Sequence, residues 1–320
     1  MKIIHVANFS ESKNGAVYYA IDRKLSNGLI RNGHFVYDFS YREMAKSLNT
    51  FNRKKAGAKK MNQALLECVD NIKPELILLG HSELIYDETL STIKKKYPSS
   101  KIAMWWVDPF DNISHIHSRI PLLDAFFATT DPDYYHALFL EKTKFFYLPN
   151  VCDDSIEQNK SFENTEYLYD LIFIGRNDKK RKSFIDKINH LENIKFKQFG
   201  HTKNNLIVGT EYMDLLYTSK MAINYSRYNN ISLYSSDRII QLTAQGLLTF
   251  TPEIPNMEQL FSKDEVVYFK NFDDLKYKLK YYNMHDEERI KIAKAGYEKA
   301  HKEYNSTLVT KQMLVKIFKD

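Results

Sequence analysis

Ser236-Asp237-Arg238-Ile239-Ile240-Gln241-Leu242-Thr243-Ala244-Gln245-Gly246, followed by Leu247-Leu248-Thr249-Phe250-Thr251, decides how this chain is read. The stretch predicts a polar loop, an amphipathic helix closed by a glycine, and a buried strand. A helix that begins Ser-Asp-Arg offers free backbone N–H groups, a partial positive charge and a guanidinium. That combination suits a phosphate group. The plainer reading is a capped helix leading into a strand.

Outward from this stretch, strand-like and helix-like segments alternate to both ends. Towards the N-terminus, strands are predicted at 2–7, 34–40, 75–80, 101–107, 124–130 and 144–148. Helices fall at 17–32, 61–73, 87–97 and from Pro132. After Pro149-Asn150 the polar, aperiodic segment 153–166 reads as an interdomain linker. The alternation then restarts, with strands at 170–175, 194–200, 221–225 and 266–269 and helices at 180–191, 210–218, 273–282, 286–301 and 307–318. This is βαβ repetition, which implies parallel sheets covered on both faces by helices. The expected architecture is α/β, with two doubly wound Rossmann-like domains facing a cleft. The first domain is residues 1–150, the linker 151–166, and the second domain 167–320 with its terminal helices.

Composition sets outer limits. At 320 residues the chain is long enough for two ordinary domains. Its 27% charged and 43% hydrophobic residues are those of a globular protein, which excludes wholesale disorder. Cys68 and Cys152 are far apart in sequence and form no metal or redox motif, and no Cys/His cluster has zinc spacing. No apolar run approaches the roughly 18 residues of a membrane span. The N-terminus lacks the apolar region and cleavage site of a signal peptide. A cytoplasmic protein is expected. The net charge of +6 is concentrated in Arg53-Lys54-Lys55-Ala56-Gly57-Ala58-Lys59-Lys60. This segment reads either as a solvated loop entering a helix or as a contact for anionic lipid headgroups, at the inner membrane face, or an anionic glycan. No nucleic-acid motif accompanies it.

The 236–246 stretch resembles the nucleotide-sugar loop of GT-B glycosyltransferases, especially the CgeB-like and group 1 glycosyltransferases. Their pattern runs roughly Ser/Asn-x-Arg-x-(aromatic or aliphatic)-Glu-x-x-Ala-x-Gly, and Gln241 stands here where the family usually has Glu. Tyr147-Leu148-Pro149-Asn150 is similar to the segment that closes the first domain of these enzymes. Glu287, Arg289, Ile290, Ile292, Ala293, Ala295 and Gly296 resemble their C-terminal helix pattern. The resemblance covers most of 145–305. It implies a nucleotide-sugar donor, a glycan or glycolipid acceptor, bacterial surface glycans such as lipopolysaccharide or capsule as the setting, and no cofactor or metal.

Open α/β sheets bind ligands at the carboxyl ends of their strands. The strand 170–175 ends in Gly175-Arg176-Asn177-Asp178-Lys179-Lys180-Arg181, where a glycine, cations and a helix N-terminus make the parts of a pyrophosphate site. By resemblance this loop holds the donor phosphates, through Arg176 and Arg181 first and Lys180 next, paired with Ser236 and Arg238. A carboxylate at position 241 would accept bonds from the ribose; Gln241 can accept one and donate two. His201 and Tyr225 end two neighbouring strands and are candidate base and phosphate contacts, with Tyr225 equally a packing residue. In the first domain, Asp108 follows a buried strand and is a candidate base for an acceptor hydroxyl, with turn capping as the plainer reading. His81 is its rival. Gly15, after the first strand, would let backbone approach a sugar. Asp131-Pro132-Asp133 matches the Asp-x-Asp metal motif formally, but helix capping explains all three residues.

The leading reading is a metal-independent glycosyltransferase. A nucleotide-sugar epimerase or hydrolase, and a catalytically silent GT-B binding module, are the alternatives.

Overall fold

The computed structural model describes residues 1–320 except 50–52, 109–113, 137–143, 177, 201, 203, 204 and 320. It divides into two compact units, Met1–Pro149 with Ser306–Asp320, and Asn150–Asn305.

In the first unit the strands are β1 (Lys2–Ala7), β2 (Phe35–Ser40), β3 (Leu76–Leu79), β4 (Lys101–Trp106), β5 (Ala125–Ala128) and β6 (Lys144–Tyr147). They form one parallel sheet in the order β2-β1-β3-β4-β5-β6. The runs Leu-Ile-Leu-Leu in β3 and Ala-Phe-Phe-Ala in β5 are buried throughout, as a sheet covered on both faces requires. The helices are α1 (Ile21–Arg31), α2 (Tyr41–Ser47), α3 (Lys54–Ile72), α4 (Asp87–Lys96) and α5 (Pro132–His136). Residues 54–60, expected as a loop entering a helix, already form the first turns of α3. At the start of α5, Asp131 Oδ1 accepts the backbone N–H of Asp133 at 3.1 Å, a capping bond.

The second unit holds β7 (Tyr169–Ile174), β8 (Phe196–Phe199), β9 (Ser219–Ile223), β10 (Leu248–Pro252) and β11 (Val267–Phe269). These are parallel in the order β11-β10-β9-β7-β8. Its helices are α6 (Lys179–Asn189), α7 (Thr210–Tyr217), α8 (Asp237–Thr243), α9 (Phe272–Met284) and α10 (Asp286–Glu303).

The domain boundaries differ from the sequence expectation in two places. The last helix, α11 (Ser306–Phe318), belongs to the first unit and packs on α1. Asn32 Nδ2 donates to Thr307 O at 2.8 Å and to Thr310 Oγ1 at 2.9 Å. A Cβ on Gly28 would stand 2.2 Å from Ser306 O, so the approach of the two helices needs glycine there. An apolar helix face does not identify its partner, and here the partner is 275 residues away in sequence. The expected linker 151–166 is an ordered part of the second unit. Cys152 bridges to Asn305, and Val151, Asp153, Glu157, Ser161 and Phe162 are buried. Its polar groups are satisfied within the unit: Asp153 N–H donates to Glu157 Oε2, and Ser161 Oγ donates to Ser219 O of β9. Polarity without periodicity reads as solvated chain, and such internal bonding removes the need for solvent.

Candidate active site

In the first sheet the chain runs from β1 to its neighbour β2 and then returns to the other side of β1 for β3. The loops after β1 and β3 therefore diverge, opening the crevice where doubly wound sheets take ligands. A pocket of about 390 Å³ lies there, lined by Asn8, Ser10 and Lys13 after β1, His81 after β3, Trp105, Val107 and Asp108 from β4 and its end, and Asp22 and Arg42. The two residues expected as rival bases stand together. His81 Nε2 is 3.7 Å from Asp108 Oδ2, and the His81 ring packs on Trp106 at 4.8 Å between centroids. Half of the Asp108 side chain faces solvent. Gly15 occupies a left-handed conformation (φ 82°) in the turns after β1, with open space where a side chain would start.

Asp22, in the first turn of α1, was not singled out in the sequence. Burial pushes its carboxyl up to about 7, against the hydrogen bond from the Asn8 backbone. Its Oδ1 lies 3.7 Å from Nε2 of the fully buried His5. The neighbouring bonds fix the His5 tautomer. Ser26 Oγ donates to Asp38 Oδ1 at 2.6 Å, so at 2.8 Å it can only accept from His5 Nδ1–H. Nε2 then turns a lone pair towards Asp22, which suits a neutral carboxyl. His5 itself is pushed down to about 3 by burial and by Arg23. The only sequence signal for Asp22 was its place at the start of the helix after β1; nothing in the pattern shows that it is buried.

In the second sheet β7 is the strand flanked by β8 on one side and β9 on the other, so the crevice opens between the ends of β7 and β9. Arg238 spans it. From the first turn of α8 its Nε donates to Ile174 O at 2.7 Å, at the end of β7, and its Nη1 to Tyr225 O at 3.3 Å, beyond β9. A Cβ on Gly175 would stand 3.1 Å from Arg238 Nη2 and 3.0 Å from the Phe173 ring, which accounts for glycine at this position. Arg181, on α6, is buried and donates from Nη2 to Arg176 O at 2.8 Å. Both guanidiniums lie over the Phe173 ring, Arg238 at 5.0 Å and Arg181 at 5.8 Å.

Neither guanidinium has an ion-pair partner among the described residues. Arg238 is pushed down to about 10, first by burial and then by Arg181. Burial also lowers Arg181, with Asp178 opposing it. Two cations that are wholly or partly buried and repel each other suit an anionic ligand. The exposed cation Arg227 is by contrast paired, Nε to Asp178 Oδ2 at 2.8 Å. A smaller pocket, about 240 Å³, is lined by Phe173, Arg176, Asp178, Arg181 and Gln198 among others.

The remaining expected residues divide. Ser236 precedes α8 and receives a bond from Arg238 Nη1 at 3.4 Å. Tyr225 stacks on Phe184 with centroids 4.0 Å apart, so its ring serves packing while its carbonyl holds Arg238. Gln241 is engaged at both ends: its Oε1 accepts from Tyr212 OH at 2.6 Å, and its Nε2 donates to Asp237. His201 and the side chain of Lys180 lie outside the described residues.

Residues 179–314 match the family described as glycosyl transferase-like. Both Arg181 and Arg238 fall inside the matched stretch. No curated protein matches the chain. Among solved structures, sucrose-phosphate synthase from Thermosynechococcus elongatus is similar over 98% of this chain and 97% of its own, at 10% identity and a TM-score of 0.63. HepE of Anabaena in complex with UDP-glucose is similar over 99% of each chain, at 11% identity and 0.59. A glycosyltransferase from Rickettsia africae covers 100% of this chain and 99% of its own, at 13% identity and 0.60. The chain has the GT-B fold. Its two parallel sheets, of six and five strands, are those of this fold, and the family match and the structural neighbours together support a glycosyltransferase.

Proposed function

We propose that this GT-B protein is a glycosyltransferase that moves a sugar from a nucleotide-sugar donor to a hydroxyl of a glycan or glycolipid. One observation carries the reading: two guanidiniums, one buried and one partly buried, with no ion-pair partner among the described residues, both over Phe173, at the point where the strand order of the second sheet reverses. A diphosphate supplies the charge they lack, and cations there stabilise the nucleotide as it leaves. UDP-glucose, held by the similar HepE, is the first donor to try.

In the first unit the Asp108–His81 pair is assigned the proton. The acceptor oxygen forms the new bond to the anomeric carbon, the bond from that carbon to the phosphate oxygen breaks, and the hydroxyl proton passes to the pair. Transfer proceeds without a metal on this reading, because the two arginines take the role a divalent cation would have.

The setting is proposed as bacterial surface polysaccharide or lipopolysaccharide synthesis, in the cytoplasm at the inner face of the membrane. The start of α3 supports it. Arg53, Lys55, Lys59 and Lys60 are exposed, and the first turn of α3 has no acidic residue. Cations there oppose the helix dipole, and an anionic surface relieves that cost. No described helix is long and apolar enough to cross a membrane.

Gln241 favours a second reading. With both ends of its amide engaged inside the protein, it has less to offer a ribose, and a nucleotide-binding module without turnover follows. Incubation with UDP-glucose, with and without a glycan acceptor, separates the cases. Acceptor-dependent UDP release supports transfer. Acceptor-independent conversion means an epimerase or hydrolase, and binding without turnover means the module.

A further inference from the structure

Cys152, Asp154 and His301 are joined by tertiary structure although their spacing forms no motif. One ligand atom from each lies within 4.8 Å of the other two. Cys152 and Asp154 open the second unit, and His301 sits in the last turns of α10. His301 Nε2 lies 2.9 Å from Ala244 O, and a carbonyl can only accept, so this nitrogen carries a hydrogen. Its other nitrogen, Nδ1, faces Asp154 Oδ1 at 2.8 Å. At that distance the two form a hydrogen-bonded His–Asp pair. A metal ion in place of the shared proton would join the same two atoms and reach Cys152 Sγ.

The surroundings favour the metal. A histidine whose far N–H is held by a backbone carbonyl is the usual arrangement of a metal ligand. The thiol of Cys152 is buried, donates to Ala300 O at 3.2 Å, and adds a soft ligand to the imidazole and carboxylate. Sulfur, nitrogen and oxygen together suit Zn²⁺. Asp154 is two-thirds exposed, which leaves a coordination position open to water.

We infer that Cys152 Sγ, Asp154 Oδ1 and His301 Nδ1 form a structural binding site for a thiophilic divalent cation, Zn²⁺ in the first place. On binding, the metal–sulfur bond forms as the thiol lets go of Ala300 O and its proton leaves for solvent, and the metal replaces the proton between Nδ1 and Asp154 Oδ1. Thiolate and carboxylate then balance the two charges of the ion, leaving a site of no net charge. The ion would clip the chain where it enters the second unit to the helix on which it leaves. The site stands at Ala244, just past the end of α8 opposite Arg238, so it is not a catalytic metal. The inference does not rest on the glycosyl-transfer reading and can fail without it.

The test is titration of the tag-free, reduced full chain with Co²⁺, a visible stand-in for Zn²⁺, in a Cys68→Ser background. We expect one Co²⁺ per chain with a sulfur-to-metal charge-transfer band, displaced by Zn²⁺, and a rise in melting temperature with Zn²⁺. Cys152→Ser should lose the band. Asp154→Asn changes an exposed residue and should fold. It should weaken binding at least about tenfold, the smallest effect usual even for an outer-shell partner. No band, a band that survives Cys152→Ser, or unchanged affinity in Asp154→Asn each overturns the site and leaves a proton-held His–Asp pair.

Discussion

The two crevices occupy the same place in two similar sheets and have opposite chemistry. At the reversal of the first sheet stand Asp22, a carboxyl with one buried oxygen, and the Asp108–His81 pair. At the reversal of the second stand two guanidiniums with no ion-pair partner among the described residues. In each, burial pushes a group towards its neutral form: Asp22 up to about 7, Arg238 down to about 10. Topology therefore settles where polar groups collect, and on the proposed function side-chain identity gives each crevice its half of the transfer. One would handle a proton, the other hold an anion.

Asp108→Asn tests the proton side most severely. We expect donor affinity to persist and turnover to fall about 10²–10⁴-fold, the usual contribution of general base catalysis. Asn caps turns about as well as Asp, so a residue that only caps would tolerate the change. Near-normal turnover would remove Asp108 from the mechanism and leave His81 to be examined.

On the anion side, Arg238→Ala should weaken nucleotide binding by about 1.5–3 kcal/mol, the range for a charge-assisted contact. Calorimetric titration with UDP measures it. Arg238 also ties the ends of β7 and β9, so the comparison holds only for variant protein shown to be folded. Unchanged affinity in such protein would mean that the buried cations are structural alone.

A subtler effect is expected in the pH dependence of stability. The folded state keeps a proton on Asp22 that the unfolded chain releases near pH 4, so Asp22 favours the fold at low pH and the benefit is lost as pH rises towards 7. His5 acts in the opposite sense: held neutral when folded, it lowers stability as pH falls from about 6.5 towards 3. Between about pH 4 and 7 the wild type should therefore lose stability relative to Asp22→Asn, with a slope of at most about 1.4 kcal/mol per pH unit. Denaturant unfolding at a series of pH values reads this directly, and parallel curves for the two proteins would show that Asp22 ionises normally.

The smallest effect expected is none. Chelator should leave turnover of the folded protein unchanged if, as proposed, the arginines take the place of a catalytic metal. Loss with EDTA and recovery with Mg²⁺ or Mn²⁺ would return attention to Asp131 and Asp133.

The sheets were legible because fully buried parallel strands are short apolar runs, as at 76–79 and 125–128. Arg181, Arg238 and Gly175 were legible because strand-end glycines and helix-start cations leave local marks. Asp22 and the Cys152–Asp154–His301 cluster left none, since burial and convergence depend on residues distant in sequence. Gln241 was visible as a departure from pattern. Its engagement by Tyr212 was not, because that contact joins separate helices. The same limit hid the partner of α11.

That helix has a consequence for how the protein is made. The ribosome delivers residues 1–149 first, yet the first unit lacks the surface that covers α1 until 306–318 emerge. The second unit, 150–305, is complete earlier. Although domains generally fold in the order of their synthesis, here the unit begun first should be the one finished last. Limited proteolysis of nascent chains stalled before residue 306 should accordingly find the second unit protected and the first still open to cleavage; equal protection of both would show that α11 is not needed to close the first.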